Sequence, residues 1–202
     1  MINLLKHRLS SPLPGKKAQV ELASGRSHMF GHRPTNHRLS GVLILLYPHL
    51  GQWHTVFMKR TEDGRTHSGQ ISFPGGRKEE SDPDLYYTAL REAHEELGIV
   101  PEEVEILGRL TDLYIPSSNY LVVPTVGIVQ TKPSFVPNPT EVAAIVESPL
   151  PTLMDPANKV YAEVFGSSGF HMEVPAFKVG EHIIWGATAM ILNELLVLFK
   201  DL

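Results

Sequence analysis

One segment constrains this chain more than any other, because residues 73–99 combine a glycine turn, an acidic loop and an amphipathic helix. At about 100° per residue, the apolar side chains of the helix share one arc and predict a buried stripe. They are Tyr86, Leu90, Ala93 and Leu97. Glu92, Glu95 and Glu96 share another arc and repel one another. Such crowding predicts a positive partner, and hard divalent cations take oxygen ligands of this kind.

The second half of this segment carries a known motif. Residues 91–99, REAHEELGI, fill every fixed position of R-E-U-x-E-E-x-G-U, in which U is aliphatic or small. The chain therefore resembles the Nudix hydrolases. In the whole box, G-x5-E-x7-R-E-U-x-E-E-x-G-U, one residue is inserted, because Gly76 and Arg91 are fifteen positions apart instead of fourteen. The first acidic position of the box is thus open between Asp82 and Glu80.

A second motif precedes the box. Arg60, Arg65 and Gly69 lead into FPGG at 73–76 with the spacing R-x4-R-x3-G-x3-F-P-G-G. This arrangement resembles the extra motif of the coenzyme A pyrophosphatase subgroup of Nudix hydrolases, and the run IIWGATAMIL is similar to that subgroup's ending. The subgroup usually has L-L-T-x-R followed by Ser or Ala. The positions that depart from it are Val56, Phe57, Met58 and Thr61.

The order of predicted elements indicates an α/β fold. An apolar run at 42–47, a turn at 48–51 and a second run at 54–59 predict two strands before the glycine turn. The remaining expected elements are strands at 104–115, at 119–129 and after Glu141, a hairpin at 174–186 and a helix at 187–199. A helix that follows such strands packs on a sheet. The resemblance implies a Nudix-type α/β/α sandwich with a mixed sheet and the box as a loop and helix.

The box helix is expected from Pro83 to Leu97, with Gly98 as its C-terminal stop. We divide the chain into an N-terminal arm at 1–38 and a Nudix hydrolase domain at 39–202. Ile2, Leu5 and Leu9 predict a short amphipathic helix at the start of the arm. The arm's histidines match no metal-ligand spacing, so we interpret them as parts of a solvated loop. They are His28, His32 and His37.

The resemblance implies a metal site on the box helix. Glu92, Glu95 and Glu96 would hold Mg²⁺ or Mn²⁺, together with a backbone carbonyl of Gly75 or Gly76. The catalytic set that it implies also contains Arg91 and Glu141. We expect Arg91 to pair with a carboxylate and to fix the helix against the loop. Glu141 is our candidate for the further glutamate that many Nudix enzymes place beyond the box, and a solvated loop charge is the alternative.

The general base is open between the box glutamates and Glu141. Arg60, Arg65 and Gly69 are the predicted substrate-binding residues, and the arginines could meet either the pyrophosphate or a 3′-phosphate. The resemblance implies hydrolysis of coenzyme A and its derivatives to 3′-phosphoadenosine 5′-phosphate and 4′-phosphopantetheine. The alternatives are a Nudix enzyme for ADP-ribose or an oxidised nucleotide, and an inactive Nudix-fold binding module, which the intact glutamates argue against.

Composition excludes several partners. A net charge of −4 without a basic arm argues against nucleic-acid binding. No apolar stretch approaches the roughly 20 residues of a membrane span, and the first residues do not form a signal peptide. The chain has no cysteine, which excludes disulfides and is compatible with a reducing compartment. We therefore expect a cytoplasmic monomer or homodimer with a small-molecule nucleotide substrate, no nucleic acid and no membrane.

Overall fold

The computed structural model describes residues 2–23, 34–62, 68–165 and 171–200. The helices are α1 (Ile2–Leu9), α2 (Gly15–Val20), α3 (Leu85–Leu97), α4 (Leu150–Met154) and α5 (Gly186–Phe199), with 3-10 turns at Pro101–Glu103 and Pro156–Asn158. The strands of a large sheet are β1 (Arg38–His49), β2 (Gln52–Arg60), β3 (Ile71–Ser72), β4 (Gly75–Arg77), β5 (Glu105–Arg109), β6 (Leu113–Ile115), β7 (Tyr120–Ile128) and β8 (Val142–Pro149). A second sheet contains β9 (Lys159–Phe165), β10 (His171–Val179) and β11 (His182–Trp185).

Strand β1 is the centre of the large sheet. It pairs parallel with β7 and antiparallel with β2 and β4, so the sheet is mixed as predicted. The residues 43–47 are all buried, which confirms the expectation of a strand covered on both faces. Strand β8 pairs with the opposite edge of β2. This order places the start of β8 beside the end of β2, close to the glycine turn.

Helices cover both faces of the large sheet. On one face, α3 packs through Ala89, Ala93 and Leu97 against side chains of β1 and β2. On the other face, the apolar side of α5 and the residues Leu5 and Leu9 of α1 share a core with the sheet. The architecture is therefore the predicted α/β/α sandwich.

Helix α3 begins two residues later than predicted and ends where predicted. Asp84 caps its N-terminus by accepting a hydrogen bond from the Tyr87 amide at 2.8 Å. At the other end, Gly98 adopts a φ of 68° and donates its amide hydrogen to the His94 carbonyl at 2.8 Å. Glycine adopts this left-handed conformation without steric cost, which explains the stop.

The predicted stripe of α3 needs one correction, because Tyr86 is 37% exposed. The helix begins so close to β1 that a Cβ atom on Gly41 would lie 2.5 Å from the Leu85 carbonyl oxygen. A tyrosine cannot enter this gap. The small side chains of Thr88 and Ala89 face the strand there instead, and both are buried.

Other differences concern strands without a strong local pattern. The expected strand at 104–115 is divided into β5 and β6, because it carries one more residue than β7 between the pairs Arg109–Thr125 and Leu113–Val122. Five short or weakly patterned elements were not predicted from sequence. They are α2, β3, β4, α4 and β9.

The N-terminal helices pack on the domain. Leu5 and Leu9 are buried, which confirms the amphipathic helix at the start of the chain. His28 and His32 lie outside the described residues, and the His37 ring nitrogen Nδ1 lies 2.7 Å from the Pro34 carbonyl oxygen. The boundary between arm and domain at residue 38 stays a prediction. No helix in the described ranges is long and apolar enough to cross a membrane.

Candidate active site

A glycine turn beneath α3 receives two of the predicted glutamates. The Gly75 amide donates a hydrogen bond to the Glu96 carboxylate at 2.8 Å. Gly76 lies under Glu92, and a Cβ atom on this glycine would stand 2.5 Å from the Glu92 carboxylate. Glu92 and Glu96 therefore point towards the same turn, as the metal-site hypothesis requires.

Arg91 connects α3 to the loop that precedes it. Its Nε and Nη2 atoms bind the two Asp82 carboxylate oxygens at 3.0 and 3.1 Å, and Nη2 also donates to the Arg77 carbonyl at 3.1 Å. Asp82 is 2% exposed and accepts further hydrogen bonds from the Glu79 amide and the Thr88 hydroxyl. Arg91 thus fixes the helix against the loop, as predicted.

This pairing also resolves the first acidic position of the box. Asp82 is the residue that meets Arg91, whereas Glu80 is exposed. The hydrogen bonds from Arg91 lower the pKa of Asp82 to about 2 and outweigh the opposing effect of burial. The residue inserted in the loop is therefore accommodated without losing the carboxylate that holds Arg91.

Arg91 also contacts two glutamates of its own helix. Its Nη2 atom lies 3.0 Å from Glu92 Oε1, and Nη1 lies 3.1 Å from Glu95 Oε2. The Glu95 side chain is 50% exposed, so it stands at the rim of the site. Burial raises the pKa of Glu92, although the neighbouring Arg91 charge opposes that rise. The arginine therefore separates carboxylates that would otherwise repel one another.

Glu96 is the most deeply buried carboxylate of the site, at 1% exposure. Burial raises its pKa to about 8, against the lowering effects of the Gly75 amide and Arg60. The Arg60 Nη1 atom lies 3.5 Å from Glu96 Oε1, which is a loose ion pair. The negative charge of Glu96 is therefore only partly compensated by the protein.

Glu141 lies in the same acidic cluster, because its charge contributes to the raised pKa of both Glu92 and Glu96. Its backbone carbonyl accepts a hydrogen bond from the Thr61 amide at 3.0 Å, which holds it beside the end of β2. The structure thus brings a residue far along the chain to the box helix. Sequence reasoning missed Asn138, which contacts Glu141 at 3.5 Å. The signal was the run NPTE, since Asn before Pro favours a turn.

The structure describes only part of the motif that precedes the box, which contains Arg60, Arg65 and Gly69. Arg60 ends β2 and turns its guanidinium towards Glu96. The Gly69 amide donates to the Thr61 carbonyl at 3.3 Å, and so closes the connection between β2 and β3. Arg65 lies outside the described residues. Of the predicted substrate-binding residues, the structure therefore places Arg60 at the acidic cluster and Gly69 in the connection beside it.

The donor set of this cluster fits a hard divalent cation. The side-chain atoms that could bind a cation are all carboxylate oxygens, and the charge of the buried Glu96 is only partly compensated by the protein. As they stand, no three His, Asp or Glu side chains in the described ranges are grouped closely enough to hold a metal ion. Arg91 binds Glu92 and Glu95, and Arg60 binds Glu96. These arginines are therefore the positive charges that face the carboxylates in this structure.

Sequence comparisons agree with this geometry. Residues 37–161 match the model of the NUDIX domain. The chain is 39% identical over 140 residues to NudL of Photorhabdus laumondii, an uncharacterized Nudix hydrolase, covering 69% of this chain and 74% of that protein. It is 36% identical over 126 residues to the human mitochondrial coenzyme A diphosphatase NUDT8, covering 62% of this chain and 53% of that protein.

Solved structures share the fold at low identity. A MutT/nudix family protein from Enterococcus faecalis superposes with a TM-score of 0.57 at 15% identity, covering 92% of this chain and 73% of that chain. The MutT protein from Methanosarcina mazei Go1 gives a TM-score of 0.52 at 15% identity, covering 85% and 99%. Because the NUDIX model spans most of the chain and the box residues meet at one glycine turn, this chain belongs to the Nudix hydrolase family of pyrophosphohydrolases.

Proposed function

We propose that this Nudix hydrolase cleaves the pyrophosphate bond of coenzyme A and its derivatives with Mg²⁺ or Mn²⁺. The products would be 3′-phosphoadenosine 5′-phosphate and 4′-phosphopantetheine or its acyl form. The observation that carries the chemistry is the convergence of Glu92 and Glu96 on the glycine turn, with Arg60 beside them. The upstream motif and the similarity to the human coenzyme A diphosphatase support the choice of substrate.

In this proposal Glu92, Glu95 and Glu96 hold the cation, with a backbone carbonyl at Gly75 or Gly76. A pyrophosphate resists hydrolysis because its negative oxygens repel an incoming nucleophile, and a bound divalent cation supplies the charge that offsets this repulsion. The short distance between Gly76 and Glu92 supports the arrangement, since a side chain on that residue would displace the carboxylate.

The chain's own residues would then orient the reactants. Arg91 keeps α3 and the loop in register through Asp82, so the carboxylates stay above the turn. Glu141 or a box glutamate takes the proton of the attacking water. Arg60 is about one-third exposed and only loosely paired, so its guanidinium can turn to a substrate phosphate and bind two oxygens. Arg65 and Gly69 complete the proposed substrate-binding set.

The second candidate is a Nudix pyrophosphatase for another nucleoside diphosphate derivative, such as ADP-ribose or an oxidised nucleotide. The uncharacterized status of the NudL relatives favours keeping this alternative. An inactive binding module is disfavoured by the complete set of box glutamates. Under either enzymatic reading we propose a cytoplasmic monomer or homodimer.

A substrate panel tests the proposal. Coenzyme A, acetyl-coenzyme A, 3′-dephospho-coenzyme A, ADP-ribose and 8-oxo-dGTP would each be incubated with the protein and Mg²⁺ or Mn²⁺, and the products identified by mass spectrometry. We expect the highest kcat/KM for coenzyme A or its acyl form. A chelator and the variant Glu96→Gln serve as controls for contaminating activity. Rapid cleavage of ADP-ribose without cleavage of coenzyme A would reject coenzyme A as the substrate, but it would still support a Nudix hydrolase activity.

A further inference from the structure

The loop between β7 and β8 is attached to the C-terminal end of the box helix. The Val136 amide donates to the Leu97 carbonyl, and the Asn138 amide donates to the Glu96 carbonyl, both at 2.8 Å. Carbonyl groups in the last turn of a helix lack helical donors, so these bonds satisfy groups that would otherwise need water. The backbone of Asn138 is therefore fixed relative to the residue that carries the Glu96 carboxylate.

The Asn138 side chain has a defined orientation. Its Oδ1 atom accepts hydrogen bonds from the Thr140 amide at 3.1 Å and from the Thr140 hydroxyl at 2.8 Å. Because two donors bind Oδ1, the amide nitrogen Nδ2 must face the other way. It faces Glu141 Oε1 at 3.5 Å. The backbone carbonyl of Asn138 also accepts the amide hydrogens of Glu141 and Val142, at 3.1 and 2.8 Å.

From this arrangement we infer that Asn138 is a positioning residue, which aims the Glu141 carboxylate at the acidic cluster of the box helix. The inference rests on the proposed function, in which Glu141 takes part. Backbone hydrogen bonds join Asn138 both to Glu96 and to Glu141, so the two glutamates lie on adjoining segments and repulsion between their carboxylates favours turning Glu141 towards solvent. A long hydrogen bond contributes little affinity, but a donor held by Thr140 restricts the direction of the carboxylate. Thr61 restrains the backbone of Glu141 from the opposite side.

Asparagine suits this position because one half of its amide accepts and the other half donates. Asn138→Asp keeps the oxygen that Thr140 requires and replaces the donor with a carboxylate that repels Glu141. Asn138→Ser retains a short turn with Thr140 and is too short to reach Glu141. We expect each variant to lower kcat by about 10- to 100-fold, because displacing a catalytic group by about 1 Å can cost a factor of this size. We expect KM to change by less than about threefold, because neither variant touches Arg60.

Asn158→Asp is the matched control. The Asn158 side chain also donates a hydrogen bond, in this case to the Thr152 backbone carbonyl at 2.9 Å, but it lies in the turn before β9. It should leave kcat within about twofold of wild type. A Tm within about 2 °C of wild type for Asn138→Asp would separate a positioning effect from damage to the fold.

A double-mutant cycle decides the question. In the Glu141→Gln background, Asn138→Asp should lower kcat by less than about twofold, because the carboxylate that it misdirects is already gone. An undiminished loss in that background would overturn the inference, and so would wild-type kcat in Glu141→Gln alone. The cycle uses the panel substrate that wild type cleaves fastest. Failure of the coenzyme A assignment is then seen separately, as wild-type protein that does not cleave coenzyme A.

Discussion

Two glutamates of this protein are almost equally buried but differ in the hydrogen bonds that they accept. Glu96 in α3 is 1% exposed and Glu194 in α5 is 0% exposed, on helices that cover opposite faces of the large sheet. Glu194 accepts hydrogen bonds from the Gly15 amide at 3.1 Å, the Thr111 amide at 3.2 Å and the Gln19 side chain at 2.9 Å. Glu96 accepts one bond at 2.8 Å and a loose arginine contact.

The difference shows what each carboxylate contributes. A buried carboxylate is costly unless donors replace its lost water, and Glu194 has three donors, which come from two separate parts of the chain. It joins α2 and the segment between β5 and β6 to α5, so it stabilises the fold. Glu96 has fewer partners than its burial demands, and its pKa is raised to about 8. This shortage of partners is consistent with the metal-binding role that we propose for Glu96.

The largest effect is expected from Glu96→Gln. It removes a charge from the proposed metal site and should lower kcat at least about a hundredfold, with Glu95→Gln losing a similar factor. The Tm without metal should hold or rise in both variants, because repulsion on a crowded acidic face is relieved. Steady-state kinetics at saturating Mg²⁺ and thermal melts measure the two responses. Near-normal turnover in both variants would contradict the metal-site assignment.

Glu194→Gln should give the reverse pattern. The amide offers one acceptor oxygen where the carboxylate offers two, and one protein donor would be left unsatisfied. We expect a loss of about 2–3 kcal/mol of unfolding free energy, or a Tm lower by roughly 5–10 °C. Turnover at 25 °C should stay within about twofold of wild type. Denaturant titration and steady-state kinetics of this variant measure the two quantities. Unchanged stability together with reduced turnover would contradict a structural role for Glu194.

Arg60 links the comparison to specificity. Arg60→Ala should lower kcat/KM for coenzyme A by about 1.5–3 kcal/mol, the range for a hydrogen bond to a charged group, and Arg65→Ala should do the same. If the arginine binds the 3′-phosphate, its loss should reduce the difference in kcat/KM between coenzyme A and 3′-dephospho-coenzyme A. If it binds the pyrophosphate, its loss should lower kcat/KM for both substrates equally. Rates within about twofold of wild type for both variants would identify the arginines as surface charges.

A further expected effect is a pH dependence of stability that Glu96→Gln should remove. The pKa of Glu96 in the fold, about 8, lies above its ordinary value of 4.5, so the native state holds a proton that the unfolded chain releases. Without metal, this group should lower stability progressively as pH rises from about 4.5 to about 8. Stabilisation by added Mg²⁺ should grow over the same window. Thermal melts of wild type and Glu96→Gln across this pH range, with and without Mg²⁺, measure the pH dependence of stability and the pH dependence of the stabilisation by metal.

The sequence predicted that Glu96 belongs to the site, but it did not predict the structural role of Glu194. The box helix is a local pattern, so its face of glutamates, its glycine stop and the pairing of Arg91 could be read from residues 73–99. Glu194 lies in an apolar run, and its donors come from Gly15, Gln19 and Thr111, which no local period connects. Interactions between distant segments depend on tertiary packing rather than on residue spacing.

The same distinction explains the errors around the box. The loop insertion left the first acidic position of the box open between Asp82 and Glu80, and the observed pairing of Asp82 with Arg91 separates them. Tyr86 has the spacing of a buried residue, but the close approach of α3 to β1 at Gly41 excludes it. Periodicity describes which residues share a face of a helix. It does not describe how near that face comes to its neighbour.

The glycines at the site have a consequence for how precisely it is built. A Cβ atom on Gly41 would meet the Leu85 carbonyl oxygen at 2.5 Å, and one on Gly75 would meet the Gly41 carbonyl oxygen at 2.4 Å. Strand, turn and helix therefore touch backbone to backbone. Backbone atoms have no rotamers, so direct backbone contact limits how far the acidic helix can shift relative to the turn. Rearrangement of core side chains can therefore change the stability of this protein while the backbone that carries Glu92 and Glu96 stays in place.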